Sequence, residues 1–130
     1  MVRSVVEFAG KLSEVVSARR FVEASLDGCD REVVALLTSE LATNAVVHAH
    51  SDFSVAVEVE PGHVRVSVGD NSKVVPTIGV ASTVSPVGGR GLRIVDALAS
   101  RWGISLLPEG KETWFEITEP AVSAYVDPSG

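Results

Sequence analysis

Three polar side chains recur at four-residue intervals in residues 40–49, ELATNAVVHA, a stretch that is otherwise almost wholly apolar. On a helix Glu40, Asn44 and His48 fall within about 80° of arc, because successive residues turn by about 100°. A carboxylate can accept a proton, and an amide oxygen is a hard ligand suited to Mg²⁺. The ordinary alternative is the polar face of an amphipathic helix. Two features favour a site: residues 33–49 hold one charged residue, Glu40, and Asn is a poor helix former.

Glycines at 88, 89 and 91 lie in the segment VGGRGLRIV, at the predicted start of a helix. Glycine allows close approach of a ligand to the backbone, and a helix N-terminus suits phosphate. Alone the pattern is equally typical of the end of a loop. It is neither a P-loop, because G-x-x-x-x-G-K-[ST] is absent, nor a dinucleotide fingerprint, because no strand leads directly into it.

Asp70 ends the predicted strand HVRVSVGD. A carboxylate at this position can accept a hydrogen bond from the amino group of a base, a bond that contributes roughly 1.5–3 kcal/mol. The alternative is structural: an aspartate after a strand often starts a turn, here Asp70-Asn71-Ser72.

The surrounding patterns predict the elements that position these residues. Strands are predicted at 4–9, at 53–60 and 63–70 around the turn Pro61-Gly62, and in a final hairpin, WGISLLP and ETWFEIT, around the turn residues 108–111. Helices are predicted at 12–26, at 31–49 after an N-cap at Asp30, and at 90–101, with a long loop over 71–89. The core face of the first helix is predicted to comprise Val15, Val16, Phe21, Val22 and Leu26.

This order of elements predicts an α+β fold, a two-layer sandwich whose sheet is mostly antiparallel with three helices on one face. Residues 1–120 are expected to form one domain and 121–130 a loose tail. A net charge of −6 and a pI near 5.0 argue against nucleic acid or an anionic membrane as partner. A single cysteine, no apolar run long enough to span a bilayer, and no signal peptide predict a cytoplasmic protein.

The order of the three motifs resembles the GHKL ATPase superfamily, whose ATP-binding domain has the Bergerat fold. That order is E-x-x-x-N on a helix, Asp at a strand end, and G-x-G opening a helix. The segments TSELATNAVVHA, D-x-S-x-x-x-P, GGRGLRIVDALASRWG and GKETWFE, and the first helix SARRFVEASL, are similar to the small bacterial anti-sigma-factor serine kinases.

The resemblance implies a role for each matching residue. Glu40 corresponds to the general base, Asn44 to the ligand of the Mg²⁺ that bridges the phosphates, and Asp70 to the acceptor of the adenine amino group. Ser72 stands where the family often has glycine, which would alter the base pocket. The other predicted ATP-binding residues are five in the glycine segment and two elsewhere in the chain. They are Gly88, Gly89, Arg90, Gly91 and Leu92, together with His48 and Thr113. For Arg90 a solvent-facing position, and for His48 a place capping the pocket, remain equal alternatives.

The resemblance also implies an activity and partners. The chain is expected to use ATP and Mg²⁺ to phosphorylate a serine or threonine of a STAS-domain anti-anti-sigma protein, and to hold a sigma factor inactive. Arg19 and Arg20 on the first helix are candidate partner contacts, with ordinary surface charge as the alternative. The sheet is expected to have open edge strands, through which a homodimer could form.

Two other functions remain open on the sequence. One is a nucleotide-responsive binding module with little or no kinase activity. The other, a detached histidine-kinase ATPase domain, lacks room before residue 30 for a dimerisation helix pair with a phosphoacceptor histidine.

Overall fold

The computed structural model describes residues 2–26, 31–74 and 86–118, with the backbone alone for 86–90. The predicted N-cap Asp30, most of the predicted long loop over 71–89 and the tail at 121–130 lie outside these residues. Five strands, three α-helices and one π-helical turn follow each other along the chain: β1 Val2–Phe8, α1 Leu12–Ser25, α2 Arg31–Asn44, the π turn Ala45–Ala49, β2 Phe53–Glu60, β3 His63–Asp70, α3 Pro86–Leu98, β4 Arg101–Leu107 and β5 Gly110–Thr118.

The strands form one sheet in the order β1-β2-β3-β5-β4, and every pairing is antiparallel. The helices pack against one face of it, which confirms the predicted α+β sandwich. The β2–β3 hairpin has the predicted bounds. Its valines alternate with other residues along both strands, and Gly62 adopts φ +74 in the turn. Within residues 2–26, 31–74 and 86–118, none of the helices combines the length and apolar character that a bilayer span requires.

The core lies between the helices and one set of alternating strand residues. Val55, Val57, Val66 and Val68 face the helices and are at most 2% exposed. Each buried valine side chain contributes roughly 1.5–3 kcal/mol relative to exposure. On α1 the core side comprises Ala18 and Val22, with Val15, Phe21 and Leu26 beside them. The prediction that Val16 belongs to this face is wrong. It is half exposed, because a step of 100° from Val15 turns it towards solvent.

The helix predicted at 31–49 is present, but its last turn widens after Asn44. Residues Ala45–Ala49 are π-helical, and His50 ends the turn with φ 52, in the left-handed region. Two hydrogen bonds then hold the following corner: the Ser51 hydroxyl accepts the backbone N–H of Asn71 at 3.1 Å, and the Asp52 carboxylate accepts that of Gly10 at 2.8 Å. The end of α2 is therefore tied to the end of β3.

The third helix begins four residues earlier than the sequence indicates. It spans Pro86–Leu98, so Gly88 and Gly89 lie in its first turns and not in the preceding loop. Proline is favoured at the first position of a helix, because its missing N–H would have no partner there and its φ is already helical. The glycines obscured this start, since glycine weakens any helical pattern.

The sheet face away from the helices carries one row of alternating charges that crosses all five strands. In register across the sheet lie Arg3, Glu58, Arg65, Glu116 and Arg101, which we call the charge ladder. Arg3 pairs with Glu58 at 3.0 Å, and Glu116 pairs with Arg65 at 2.9 Å and Arg101 at 3.7 Å.

Glu116 is the most enclosed member of the charge ladder, and it also lies 3.5 Å from the Nε2 of His63. Burial raises the pKa of the Glu116 carboxyl, but hydrogen bonds from Arg65 and His63 and the charge of Arg101 outweigh burial and hold the pKa below its ordinary value. Trp114 stacks beside the ladder, with the Arg65 guanidinium 4.1 Å from its ring centroid.

Candidate functional site

The first half of the site lies between α2 and α3. Glu40 and Asn44 project from α2 towards Gly91, which is buried. A Cβ added at Gly91 would lie 3.0 Å from Oε1 of Glu40, and 3.5 Å from Oδ1 and 3.6 Å from Nδ2 of Asn44. The structure therefore brings together the carboxylate, the amide and the glycine that the sequence singles out.

The second half lies at the end of β3, where Asp70 closes a tight turn. Its Oδ1 accepts the backbone N–H of Ser72 at 2.9 Å, and the Ser72 hydroxyl accepts that of Val74 at 3.1 Å. The turn alternative for Asp70 is thus correct. It does not exclude a binding role, because a carboxylate has about four acceptor positions and the turn takes one. Residues at even positions in β3 face the helices, so Asp70 faces them too.

Lys111 is a site residue that the sequence interpretation missed. It lies directly opposite Asp70 in the β3–β5 pairing, and its Nζ is 3.0 Å from Oδ1 of Asp70. The side chains are 8% and 6% exposed, respectively, so the ion pair is almost fully enclosed. The sequence placed Lys111 in the final turn, whereas the turn comprises only Pro108 and Glu109.

Gly110 explains how the final turn comes so close to Asp70. A Cβ at Gly110 would overlap the carbonyl oxygen of Asp70 and lie 3.0 Å from the Cα of Asn71. Only a glycine allows this approach, which brings Lys111 over the end of β3.

The other predicted site residues lie in several different parts of the structure. Thr113 is buried in β5, two residues beyond Lys111, and therefore faces the helices on the same side as Asp70. Leu92 is fully buried within the core, which indicates packing. His48 lies exposed on the π turn, and Arg19 and Arg20 are exposed on α1. Gly88 and Gly89 belong to the first turns of α3, and the side chain of Arg90 lies outside the described part of the chain.

An open depression of about 530 Å³ lies at the same end of the sheet. Its lining includes Glu7, Ser54 and Gly69, which face away from the helices, the final turn, and also Asp70 and Asn71 at the end of β3. Because Glu40, Asn44 and Gly91 are not among its lining residues, we do not assign the chemistry to it.

The donor set between α2 and α3 fits a metal that is shared with phosphate. Across the described ranges, no group of three or more His, Cys, Asp or Glu side chains is placed to hold a metal ion. An amide oxygen such as that of Asn44 suits Mg²⁺ when phosphate oxygens and water complete the coordination.

The antiparallel sheet and its single layer of helices are those of a GHKL-type ATPase domain. The model of the histidine kinase-like ATPase domain family matches residues 8–117. The chain therefore belongs to that family.

A solved structure supports the same fold. The chain is similar, with a TM-score of 0.66 and 20% identity, to the crystal structure of the RsbU and RsbW domains of Rv1364c from Mycobacterium tuberculosis. The match covers 91% of this chain and 32% of that one, so the chain spans about a third of the length of that protein. Comparison with curated proteins found no match.

Proposed function

We propose that the chain is a cytoplasmic protein kinase. It binds ATP with Mg²⁺ between α2 and α3 and phosphorylates a serine or threonine of a STAS-domain protein. The observation that carries the proposal is the contact of Gly91 with both Glu40 and Asn44. It puts a proton acceptor, a metal-binding amide and an open backbone position within one small volume.

Each end of ATP has a group suited to it. On the phosphate side, the early turns of α3 present backbone N–H groups and the positive end of the helix dipole. On the base side, Asp70 offers a carboxylate to the amino group of adenine, and Thr113 lies on the same sheet face. Asn44 would hold the Mg²⁺, which neutralises phosphate charge when bound.

The chemistry assigned to Glu40 is proton acceptance. The partner hydroxyl oxygen forms a bond to the γ-phosphorus as the bond to the β–γ bridging oxygen breaks, and ADP leaves. The hydroxyl proton passes to the Glu40 carboxylate. Glu40 is partly exposed, so a hydroxyl from another protein has access to it. Positioning and charge neutralisation supply most of the rate in such reactions.

The partner assignment rests on the family likeness and on the surface of α1. The RsbW domain of the similar structure is the reason to propose a partner-switching role, in which a STAS protein and a sigma factor compete for the chain. Arg19 and Arg20 are exposed and adjacent on α1, where they would contact an acidic partner surface. An acidic chain with two exposed arginines favours protein over nucleic acid as partner.

The test measures nucleotide binding and phosphoryl transfer with the same variants. Wild type, Asn44→Ala and Glu40→Gln are melted with and without Mg·ATP and Mg·GTP. Ligand at a hundredfold over its Kd adds about 2.7 kcal/mol, or several degrees of Tm. We expect an ATP-selective shift in wild type and in Glu40→Gln, and none in Asn44→Ala.

Transfer is then measured with radiolabelled ATP and a panel of STAS-domain proteins. Wild type should give an acid-stable phosphoprotein, and Glu40→Gln should give at least about a hundredfold less. Binding without transfer to any STAS protein would favour the nucleotide-responsive binding module. No shift at millimolar ATP would contradict the site itself. An acid-labile product would indicate a histidine kinase.

A further inference from the structure

We infer that Lys111 is a specificity-determining residue of the base pocket. Through its ion pair with Asp70 it selects purines that carry a 6-amino group. This inference rests on the proposed ATP site and deepens it.

Strand pairing and hydrogen bonds fix the positions of both Asp70 and Lys111. The two residues are direct partners in the β3–β5 pairing, and the Lys111 ammonium donates to Oδ1 of Asp70 at 3.0 Å and to the carbonyl of Ser72 at 3.4 Å. The Ser72 N–H also meets Oδ1. Within the described part of the chain, every hydrogen-bond donor to the Asp70 carboxylate therefore contacts Oδ1, and none contacts Oδ2. The carboxylate is fixed in orientation with its second oxygen left as an acceptor.

Two arrangements with a bound base are conceivable, and burial decides between them. In the first, the amino group of the base displaces Lys111 from Asp70. That would leave an ammonium group without its counter-ion at a position where the side chain is 8% exposed, which costs more than one hydrogen bond to a base returns. In the second, Lys111 keeps Oδ1 and the base donates to Oδ2. The second arrangement leaves both charges paired.

Lys111 consequently controls which chemical group the pocket accepts. Its ammonium group occupies Oδ1 of Asp70. The remaining carboxylate oxygen, Oδ2, accepts hydrogen bonds and therefore favours a donor group on the base. A 6-amino group satisfies Oδ2, whereas a purine with hydrogen at position 6 leaves it unpaired. Gly110 is what permits this geometry, because any side chain there would push Lys111 and its turn off the end of β3.

The test compares ATP with purine riboside triphosphate, which lacks the 6-amino group, by calorimetric titration in the presence of Mg²⁺. Wild type should bind ATP at least about tenfold more tightly than the purine analogue. In Lys111→Met the preference should fall below about threefold, chiefly because ATP binds more weakly. Lys11→Met, which removes an exposed lysine before α1, is the matched control and should keep the wild-type ratio.

Removing one charge of a buried pair can impair folding, so three further variants are included: Lys111→Arg, Asp70→Asn, and Asp70→Asn combined with Lys111→Met. Lys111→Arg keeps the charge and should retain most of the preference for ATP. Asp70→Asn combined with Lys111→Met removes both charges. If Lys111 acts through Asp70, the double variant should lose no more ATP preference than Asp70→Asn alone.

The outcomes separate the two proposals. A wild-type protein that binds neither nucleotide would overturn the proposed function, and this inference with it. A wild type that binds ATP, together with a Lys111→Met variant that weakens both nucleotides equally or neither, would overturn only the role of Lys111. A double variant that loses further ATP preference would show that Lys111 acts independently of Asp70.

Discussion

At the scale of single residues, the proposed site depends on the absence of a side chain at Gly91. Its Cα lies against Glu40 and Asn44, and the nearest atoms to an added methyl group are the ends of those two side chains. A methyl group would therefore crowd both side chains and push the Glu40 carboxylate aside, and these two residues are the proposed proton acceptor and metal ligand. The glycine has this role although it lies inside a helix, where it is unfavourable by about 0.5–1 kcal/mol relative to alanine.

Gly91→Ala should therefore separate stability from binding. The free energy of unfolding should stay unchanged or rise by up to about 1 kcal/mol, because alanine is the better helix former and Glu40 is a side chain that can move. The affinity for Mg·ATP should fall by at least about tenfold, which corresponds to roughly 1.4 kcal/mol. Urea unfolding measures the first quantity and calorimetric titration the second. An unchanged affinity for ATP would show that the space beside Gly91 is not used by the nucleotide.

At the scale of elements, two glycines let β4 and β5 pack closely against their neighbours. The Cβ that Gly110 lacks would meet the backbone of Asp70 and Asn71. The Cβ that Gly103 lacks would lie 2.7 Å from the ring of Trp114, the far end of a side chain. The first obstacle belongs to a paired strand and cannot shift without breaking the pairing, whereas the second can rotate.

Gly110→Ala should accordingly destabilise the fold more than Gly103→Ala. Overpacking against backbone costs about 1–3 kcal/mol, and we expect Gly110→Ala at the upper end of that range and Gly103→Ala at the lower end. Equilibrium unfolding in urea gives both values on one scale. The reverse order would mean that the turn at Pro108 and Glu109 relaxes more easily than the tryptophan ring.

The elements also show how much of the structure can be predicted from the sequence. The β2–β3 hairpin was predictable to the residue, because the alternation of its valines and the turn Pro61-Gly62 are local signals. The start of α3 was not, because its first turns hold two glycines, and the local signal there is that of a loop. Glu40, Asn44 and Gly91 were identified as site residues without their distances. Lys111 was missed because its importance lies in its partner Asp70, which is 41 positions away in the sequence.

At the scale of the whole molecule, the charge ladder joins the five described strands on the sheet face away from the described helices. It arises only when β1, β2, β3, β5 and β4 are in register, so no local stretch of sequence reveals it. Its members differ in enclosure. The Glu58 side chain is 30% exposed and pairs with an exposed arginine, whereas that of Glu116 is 11% exposed and has three basic neighbours.

Stability should therefore depend on pH through Glu116. Its pKa is lower in the folded state than its ordinary value of 4.5. The unfolded chain then takes up the proton first, so the stabilisation is complete above about pH 4.5 and is lost as the pH falls through the folded-state pKa. Glu116→Gln should lower the free energy of unfolding by about 1–2 kcal/mol at pH 7, and this difference should shrink towards pH 3. Urea unfolding of both proteins from pH 3 to pH 7 provides the measurement.

Glu58→Gln is the matched control in the same ladder. Its ion pair is largely exposed, so its effect should stay within about 0.5 kcal/mol. A Glu116→Gln difference that is the same at every pH would show that the side chain acts by packing and not by charge.

The position of β5 between β3 and β4 has a consequence for the order in which the chain folds. The β2–β3 and β4–β5 hairpins join neighbouring stretches of sequence, so each can form early by closing a short loop. Docking one hairpin on the other must instead enclose α3 and everything between Asp70 and Lys111, which makes it the slow, high-contact-order step. The half of the pocket that would hold the base comes into existence only at that step. Before that step Asp70 has no Lys111 beside it, so the enclosed ion pair at the end of β3 forms only when the two hairpins dock.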